Sequence, residues 1–479
     1  MIISSLSNLM PELVLSVLAM LVLMIGTFYN KKQVVESILW FVSVSFFVLG
    51  IWILIYDPRT ISAFNNVYVF DNFSRFMKVG ILWSAAIILL IGKDYFARRG
   101  LLKFEYPVLI MLSVVGMMLM VSSNNFMALY MGLELQSLSL YVIAAFRRDS
   151  VRSTEAGLKY FVLGALSSGL FLYGVSLIYG FSGTTNFHVL SELVESKGVS
   201  IGLLFGLAFV MVSMAFKISA VPFHMWTPDV YEGSPTPVTA FFSTVPKMAA
   251  ISIFIRVLID GFETAINDWQ QILIFLSVAS MFIGAIAAIG QNNIKRLMAY
   301  SSISHMGFAL IGLAAGTIEG LQSLLIYMVI YVLANIGVFS FILNMERDGT
   351  SITSISSLSL YSKVDSKRAV FISIIMLSLA GLPPFVGFIG KLYVFNAAVG
   401  AGLLWLALAG GLASVIGAFY YLRIVYLIYF GESEFGLNGS MPKLHWLVLT
   451  GSALAMIFGS INLFGLEDVV KMVATDLFS

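Results

Sequence analysis

Apolar stretches of about 20 residues, the length that carries a helix across the hydrocarbon of a bilayer, recur along this chain from end to end. Fourteen are read, at approximately 10–29, 36–56, 72–92, 104–121, 125–146, 155–180, 200–230, 236–260, 271–290, 296–316, 319–345, 369–396, 401–430 and 443–465. They predict an all-α integral membrane protein with fourteen transmembrane helices. Only 11% of the residues are charged, against about 25% in a soluble globular domain, so a soluble core is excluded. All of 1–479 reads as a single polytopic domain, because a membrane bundle grows sideways by adding spans.

Charge sets the topology, since Lys and Arg are retained preferentially on the cytoplasmic side of short loops. Loops after odd-numbered spans hold Lys31, Lys32, Lys93, Arg98, Arg99, Lys103, Arg147, Arg148, Arg152, Lys295, Arg296, Arg347, Lys363, Lys367, Arg368 and Lys443. The other side holds Arg59, Lys197 and Lys471, with Arg75 and Lys78 in the opening turns of the third span. Both termini are therefore expected outside the cytoplasm. The opening residues lack the basic start and cleavage site of a signal peptide, so the first span is expected to be retained. A net charge of +2 with scattered basic residues does not suggest a nucleic-acid partner. The chain has no cysteine, which excludes thiolate-held iron–sulfur clusters, c-type haem attachment, disulfides and thiol catalysis within it. Any redox chemistry is expected in partners.

Two spans are interrupted. The seventh contains Phe216-Lys217-Ile218-Ser219-Ala220-Val221-Pro222-Phe223-His224, where the proline lacks an amide donor and clashes with the preceding turn. The twelfth contains Ala380-Gly381-Leu382-Pro383-Pro384-Phe385-Val386-Gly387, and its Pro-Phe pair lies 162 residues after the first (384 minus 222). Spans 4 to 8 surround the first break as spans 9 to 13 surround the second, and an odd-numbered repeat inserts upside down relative to its copy. Paired broken helices in inverted repeats mark ion-handling sites near the midplane. The expected organisation is three helices in 1–103, a first repeat in 104–260, a second in 271–430, and a last helix and tail in 443–479. A lone proline kink often only shapes packing. Two matched kinks, each with a nearby lysine, favour the functional reading.

Six of the 27 basic residues, Lys159, Lys217, Lys247, Arg256, Lys391 and Arg423, fall further inside the spans. Arg256 and Arg423 sit nearer the ends, where snorkelling to the interface gives them a mainly structural role. Glu134, Lys217, Lys247 and Lys391 are deep, and each would cost about 2.5–3.5 kcal/mol to insert as a charge. Burial disfavours charge, and deeply buried lysines can release a proton near neutrality. A Glu134 carboxylate moving against the Lys217 ammonium would then be a switch for proton release. His224, two turns beyond Lys217, and His305 in the tenth span add imidazoles that relay protons or satisfy interhelical hydrogen bonds. Lys159, close to Arg152 and Glu155, reads either as an interfacial charge or as part of the row. Static ion pairing would leave three deep lysines facing one deep glutamate, so titrating lysines fit better.

Two other signals are rejected. Gly387-Phe388-Ile389-Gly390-Lys391 is like the end of a phosphate loop, but Phe385 stands where the first glycine belongs, Leu392 follows the lysine, and the segment is apolar helix. The four histidines, with His188 in a loop and His445 near an interface, have no paired spacing for haem or metal.

The run Pro222-Phe223-His224-Met225-Trp226-Thr227-Pro228-Asp229-Val230-Tyr231-Glu232-Gly233-Ser234-Pro235-Thr236-Pro237-Val238-Thr239-Ala240, followed by Lys247, resembles the signature of the antiporter-like subunits of respiratory complex I and of Mrp-type cation/proton antiporters. With Glu134 upstream and Gln291 to Gly307 downstream, the resemblance covers spans 4 to 13 and extends to the whole chain. One branch of that family carries a glutamate where Lys391 stands, and another continues past the fourteenth span into a long lateral helix; the pattern here fits neither of these and resembles a third. The resemblance implies that Glu134 and Lys217 form a modulating pair, Lys247 a connecting site and Lys391 an exit-side site, with Lys159, His224 and His305 carried over beside them. Quinone, NADH, FMN and iron–sulfur clusters are expected in partner subunits, none in this chain. The expected partners are the other membrane subunits of complex I, the lipid of a bacterial inner membrane, and protons. Moving one charge against 100 mV takes about 2.3 kcal/mol, so the drive must arrive from neighbours. A stand-alone Na⁺(K⁺)/H⁺ antiporter subunit and a passive membrane scaffold are the competing expectations.

Overall fold

Inside a bilayer every backbone amide and carbonyl must find a partner within the protein, and helices achieve this locally. The computed structural model describes residues 9–29, 31–55, 61–432 and 437–478. The first eight residues, on which the signal-peptide reading rests, and Arg59 lie outside the described residues.

Helices α1 (Met10–Phe28) and α2 (Lys32–Ile55) precede a hairpin of β1 (Ile61–Ala63) and β2 (Tyr68–Phe70). Then come α3 (Asn72–Arg98), α4 (Glu105–Val121), α5 (Phe126–Ala144), α6 (Val151–Ser182) and the short α7 (Phe187–Lys197). The first interrupted span is α8 (Ile201–Ile218) with α9 (Trp226–Gly233), followed by α10 (Thr236–Ile255), α11 (Ile266–Ile289), α12 (Ile294–Ala314) and α13 (Ile318–Ile342). A hairpin of β3 (Glu346–Arg347) and β4 (Thr350–Ser351) and a single turn α14 (Tyr361–Val364) lead to the second interrupted span, α15 (Ser366–Ala380) with α16 (Val386–Gly400). The chain ends with α17 (Leu404–Phe430), α18 (Lys443–Asn462) and α19 (Leu466–Leu477). Twelve helices among the described residues are long and apolar enough to cross a membrane, and α4 and α16 are shorter apolar ones.

Polar residues stop the fraying of these helices at their starts. Asp71 accepts the Ser74 amide while Ser74 answers with its hydroxyl at the start of α3, and the side chains of Asn125, Ser150, Ser200 and Asn293 cap α5, α6, α8 and α12. The centre of the bundle is made by α10, buried along its whole length, with α12 and α13 buried along nearly all of theirs. The peripheral helices turn apolar residues outward, as Val17, Met20 and Met24 do on α1 and Leu408, Leu412 and Val415 on α17. That places Lys247 and His305 on the two most enclosed helices. Glycines bring α4 against α5: a Cβ on Gly116 would stand 2.6 Å from the Gly132 carbonyl oxygen, so the backbones touch.

His445, in the first turn of α18, is buried and contacts Asn344 at 2.7 Å. Two expectations change. The segment holding His188 is not a loop but helix α7, capped by Asn186. Arg256 does not snorkel: it is 3% exposed and turns inward to Asp71 at 2.6 Å and Asp260 at 3.0 Å, with its Nε on the Val121 carbonyl. A guanidinium with carboxylates in reach is held by them rather than by water. Arg423 instead covers the end of α11, donating to the Ile289 and Gln291 carbonyls.

Candidate functional site

The two interruptions have the same local geometry. At the first, α8 ends on Ile218, Ser219 adopts a left-handed φ of 64°, the Ser219 amide bonds the Phe216 carbonyl and the Ala220 amide the Ala215 carbonyl. At the second, α15 ends on Ala380, Gly381 has φ of 81°, the Gly381 amide bonds the Ser378 carbonyl and the Leu382 amide the Leu377 carbonyl. Each is a helix ended by a left-handed residue and its paired closing bonds, and each leaves terminal carbonyls facing the bundle.

A buried lysine meets the last carbonyl in both cases. Lys247, from the middle of α10, donates to Ile218 O at 2.5 Å and to Ser219 Oγ at 2.9 Å. Lys391, from α16, donates to Ala380 O at 2.8 Å and to Ser414 Oγ at 2.8 Å, with its ammonium 4.8 Å over the Phe308 ring. An ammonium at a helix C-terminus is favoured by the aligned peptide dipoles as well as by the hydrogen bond. Hydropathy marked both lysines as deep, but nothing along the chain told which carbonyl each would meet.

Lys217, in the last turn of α8, is buried and donates to Ser137 Oγ at 2.7 Å, near the faces of Tyr141 and Phe216. The Ser137 hydroxyl in turn donates a hydrogen bond to the Leu133 carbonyl at 2.6 Å. Glu134 lies three residues before Ser137 on α5, half-buried, and its Oε1 has no hydrogen-bond partner among the described residues. The structure thus brings Lys217 to the helix that carries Glu134, with a serine hydroxyl rather than the carboxylate as its direct partner.

His305 is buried on α12 between two phenols, Nδ1 at 2.6 Å from Tyr327 and Nε2 at 2.9 Å from Tyr421. Ser301 reaches the same Tyr421 hydroxyl at 2.5 Å. One turn away Ser302 bonds Tyr331, whose hydroxyl also bonds the Ser243 carbonyl, each at 2.8 Å. Ser243 is one turn before Lys247 on α10, and Phe308, under the Lys391 ammonium, is one turn after His305 on α12. An imidazole with a partner on each nitrogen accepts on one and donates on the other. Sequence reasoning missed these tyrosines because they blend into aromatic helix faces.

His224 and Lys159 lie apart from this line. His224 follows the first break, half-buried, with Nδ1 unpartnered among the described residues. Lys159 joins a half-exposed cluster, bonding Glu155 and Asp229 at 2.7 Å each, while Arg296 bonds Asp229 at 2.7 Å and Glu232 at 3.2 Å. These charges rim a cavity of about 220 Å³. Lys295, expected in a loop, is buried and donates to the Glu232 and Ser234 carbonyls at the end of α9.

The site thus holds buried lysines on helix-terminal carbonyls, a doubly hydrogen-bonded imidazole and a set of bonded hydroxyls, groups that can hold and pass protons. A family model described as NADH:quinone oxidoreductase/Mrp antiporter, TM, matches residues 123–417, a stretch that contains Glu134, both interruptions and every lysine just described. The NADH-quinone oxidoreductase subunit N of Jannaschia sp. is 56% identical over 481 residues, covering 100% of both chains. That of Rhodobacter capsulatus is 55% identical over 471 residues, covering 98% of both. A chain of respiratory complex I from Thermus thermophilus superimposes with a TM-score of 0.82 at 28% identity, over 96% of this chain and 98% of that one. With the family model spanning most of the chain and full-length relatives above half identity, this chain belongs to the NADH-quinone oxidoreductase subunit N family, a branch of the antiporter-like membrane proteins.

Proposed function

We propose that this chain is a proton-translocating membrane subunit of NADH:quinone oxidoreductase, driven by quinone reduction in partner subunits that hold the NADH, FMN and iron–sulfur chemistry. The observation that carries the reading is the pair of lysine caps: Lys247 on Ile218 and Lys391 on Ala380 put a releasable proton at each helix interruption. Glu134 and Lys217 act as the modulating pair, Lys247 as the connecting site and Lys391 as the exit-side site. His305 relays between the last two through Tyr421, Tyr327 and the Ser302–Tyr331 bond. His224 and Lys159 serve at the margins, Lys159 within the charged cavity where protons are gathered.

The chain is read as crossing the bacterial inner membrane fourteen times, counting α8 with α9 and α15 with α16 as one crossing each and α4 as another. The first three crossings precede two inverted five-helix units, 104–260 and 271–430, and a last helix follows. The matched interruptions support that repeat, and the distribution of Lys and Arg supports both termini lying outside.

Complexes carrying Lys217→Ala or Glu134→Gln, reconstituted in vesicles, are expected to lose proton pumping together with coupled quinone turnover. Unchanged pumping would overturn the reading. If the purified chain alone exchanged Na⁺ for H⁺ against a proton gradient, a stand-alone antiporter would replace it.

A further inference from the structure

A second group of buried charges lies away from the central line, where α1 meets α3. Lys78, 0% exposed in the second turn of α3, is 2.6 Å from Glu12, 2% exposed in the first turn of α1. The Tyr68 hydroxyl bridges them, 2.7 Å from Lys78 Nζ and 3.0 Å from Glu12 Oε1. The rings of Tyr68 and Phe70 lie 4.9 and 5.0 Å from the ammonium. Glu12 Oε2 is buried without a hydrogen-bond partner among the described residues. That oxygen is an acceptor left over from the ion pair and open to a further partner.

Helix α3, which carries Lys78, packs against α10, which carries Lys247. Met248, next to Lys247, packs onto Gly80, where a Cβ would stand 2.4 Å from its Cε, and Lys78 is two residues from Gly80. A static tie between α1 and α3 would need no unsatisfied oxygen, and an apolar pair would fill the same space at less desolvation cost.

We infer that Lys78, Tyr68 and Glu12 form a further proton-relay site that carries protons from the Lys247 side toward the membrane face where α1 and α3 begin, the outer face in the orientation proposed above. This rests on the proton-pumping reading. In the relay, Tyr68 gives its hydroxyl proton to Glu12 as it takes one from Lys78, leaving all three groups neutral. Lys78 then takes up a proton from the Lys247 side, and Glu12 releases its own outward. One proton enters, one leaves, and the ion pair is restored.

The test uses the assembled complex in vesicles, with protons pumped per NADH oxidised as the measurement and Lys217→Ala as the reference arm. Glu12→Gln/Lys78→Met removes both charges while keeping both shapes, and is expected to bring pumping below half of the parent complex, with Glu12→Asp largely preserving it. Parental pumping in the double variant, with Lys217→Ala impaired, overturns the relay and leaves the pump reading standing. Parental pumping in both overturns both. Should the double variant fail to assemble, Tyr68→Phe, which keeps the ion pair, decides: slowed pumping with an enlarged solvent deuterium effect supports the relay, and parental values for both overturn it.

Discussion

Ile218 and Ala380 occupy the same place in two separate helix interruptions, 162 residues apart (380 minus 218), and the carbonyl of each accepts a hydrogen bond from a lysine ammonium. The lysines reach these carbonyls by different routes. Lys247 comes from α10, the next span, and Lys391 comes from the second half of its own interrupted span. What the two sites share is therefore the accepted bond and not the position of its donor.

A substitution that keeps the charge separates a structural cap from a proton carrier. Lys247→Arg keeps a cation with several donors, but a guanidinium does not give up its proton. The Lys247→Arg and Lys391→Arg complexes are expected to assemble and to pump more slowly by roughly 10²-fold, the low end of what a positioned acid–base group supplies. Vesicle pumping assays beside native-gel assembly check this, and parental pumping in both would make the lysines mere caps.

Ser137 sets where the Lys217 ammonium rests. Ser137→Ala removes its direct acceptor, with an expected cost of about 1–3 kcal/mol for the unsatisfied donor. The ammonium then has Glu134 as its nearest anion, so pumping in Ser137→Ala should become more sensitive to Glu134→Gln than the parent is. A double-mutant cycle on pumping rate reads the coupling, and strict additivity would count against it.

The contact of α4 with α5 leaves no room for side chains. Gly116→Val would push a branched side chain into the Gly132 carbonyl and the Gln136 amide. Overpacking of this kind costs about 1–3 kcal/mol and would move the helix that carries Glu134. A lowered melting temperature of the purified complex, with reduced pumping, is the expected result.

Asp71 lies just before α3, outside the membrane-spanning segment. Burial alone would raise its pKa, but Arg256 and the Ser74 amide outweigh it and hold the carboxyl below the usual range. A depressed carboxyl contributes stability that is complete above about pH 4 and lost as the pH falls through the lower folded value. Asp71→Asn should therefore destabilise the complex at neutral pH by about 3 kcal/mol, with the difference from the parent shrinking on acidification. Thermal melts across that pH range measure it.

Depth was legible in the sequence and direction was not. The apolar periodicity placed Lys217, Lys247, Lys391 and Glu134 inside spans, and the prolines located both interruptions. Hydropathy carries no information on which way a side chain turns. Arg256, near the end of its span, therefore reads as interfacial but bonds Asp71, 185 residues away in the chain, and Lys78, in the opening turns of α3 as the sequence places it, turns inward to pair with Glu12. The sequence leaves Lys159 two roles, and its geometry is the half-exposed cluster with Glu155, Asp229 and Arg296. The tyrosines on either side of His305 come from α13 and α17, so only packing could bring them together.

If Lys247 and Lys391 carry the translocated proton, as proposed, proton occupancy becomes a mechanical variable. With Lys247 and Lys391 charged, the ends of α8 and α15 are clamped by an ionic hydrogen bond. With either neutral, the clamp weakens to an ordinary amine contact. The stiffness of each hinge then follows its proton load, and a subunit pressed against this bundle would sense loading as rigidity before any charge had crossed the membrane.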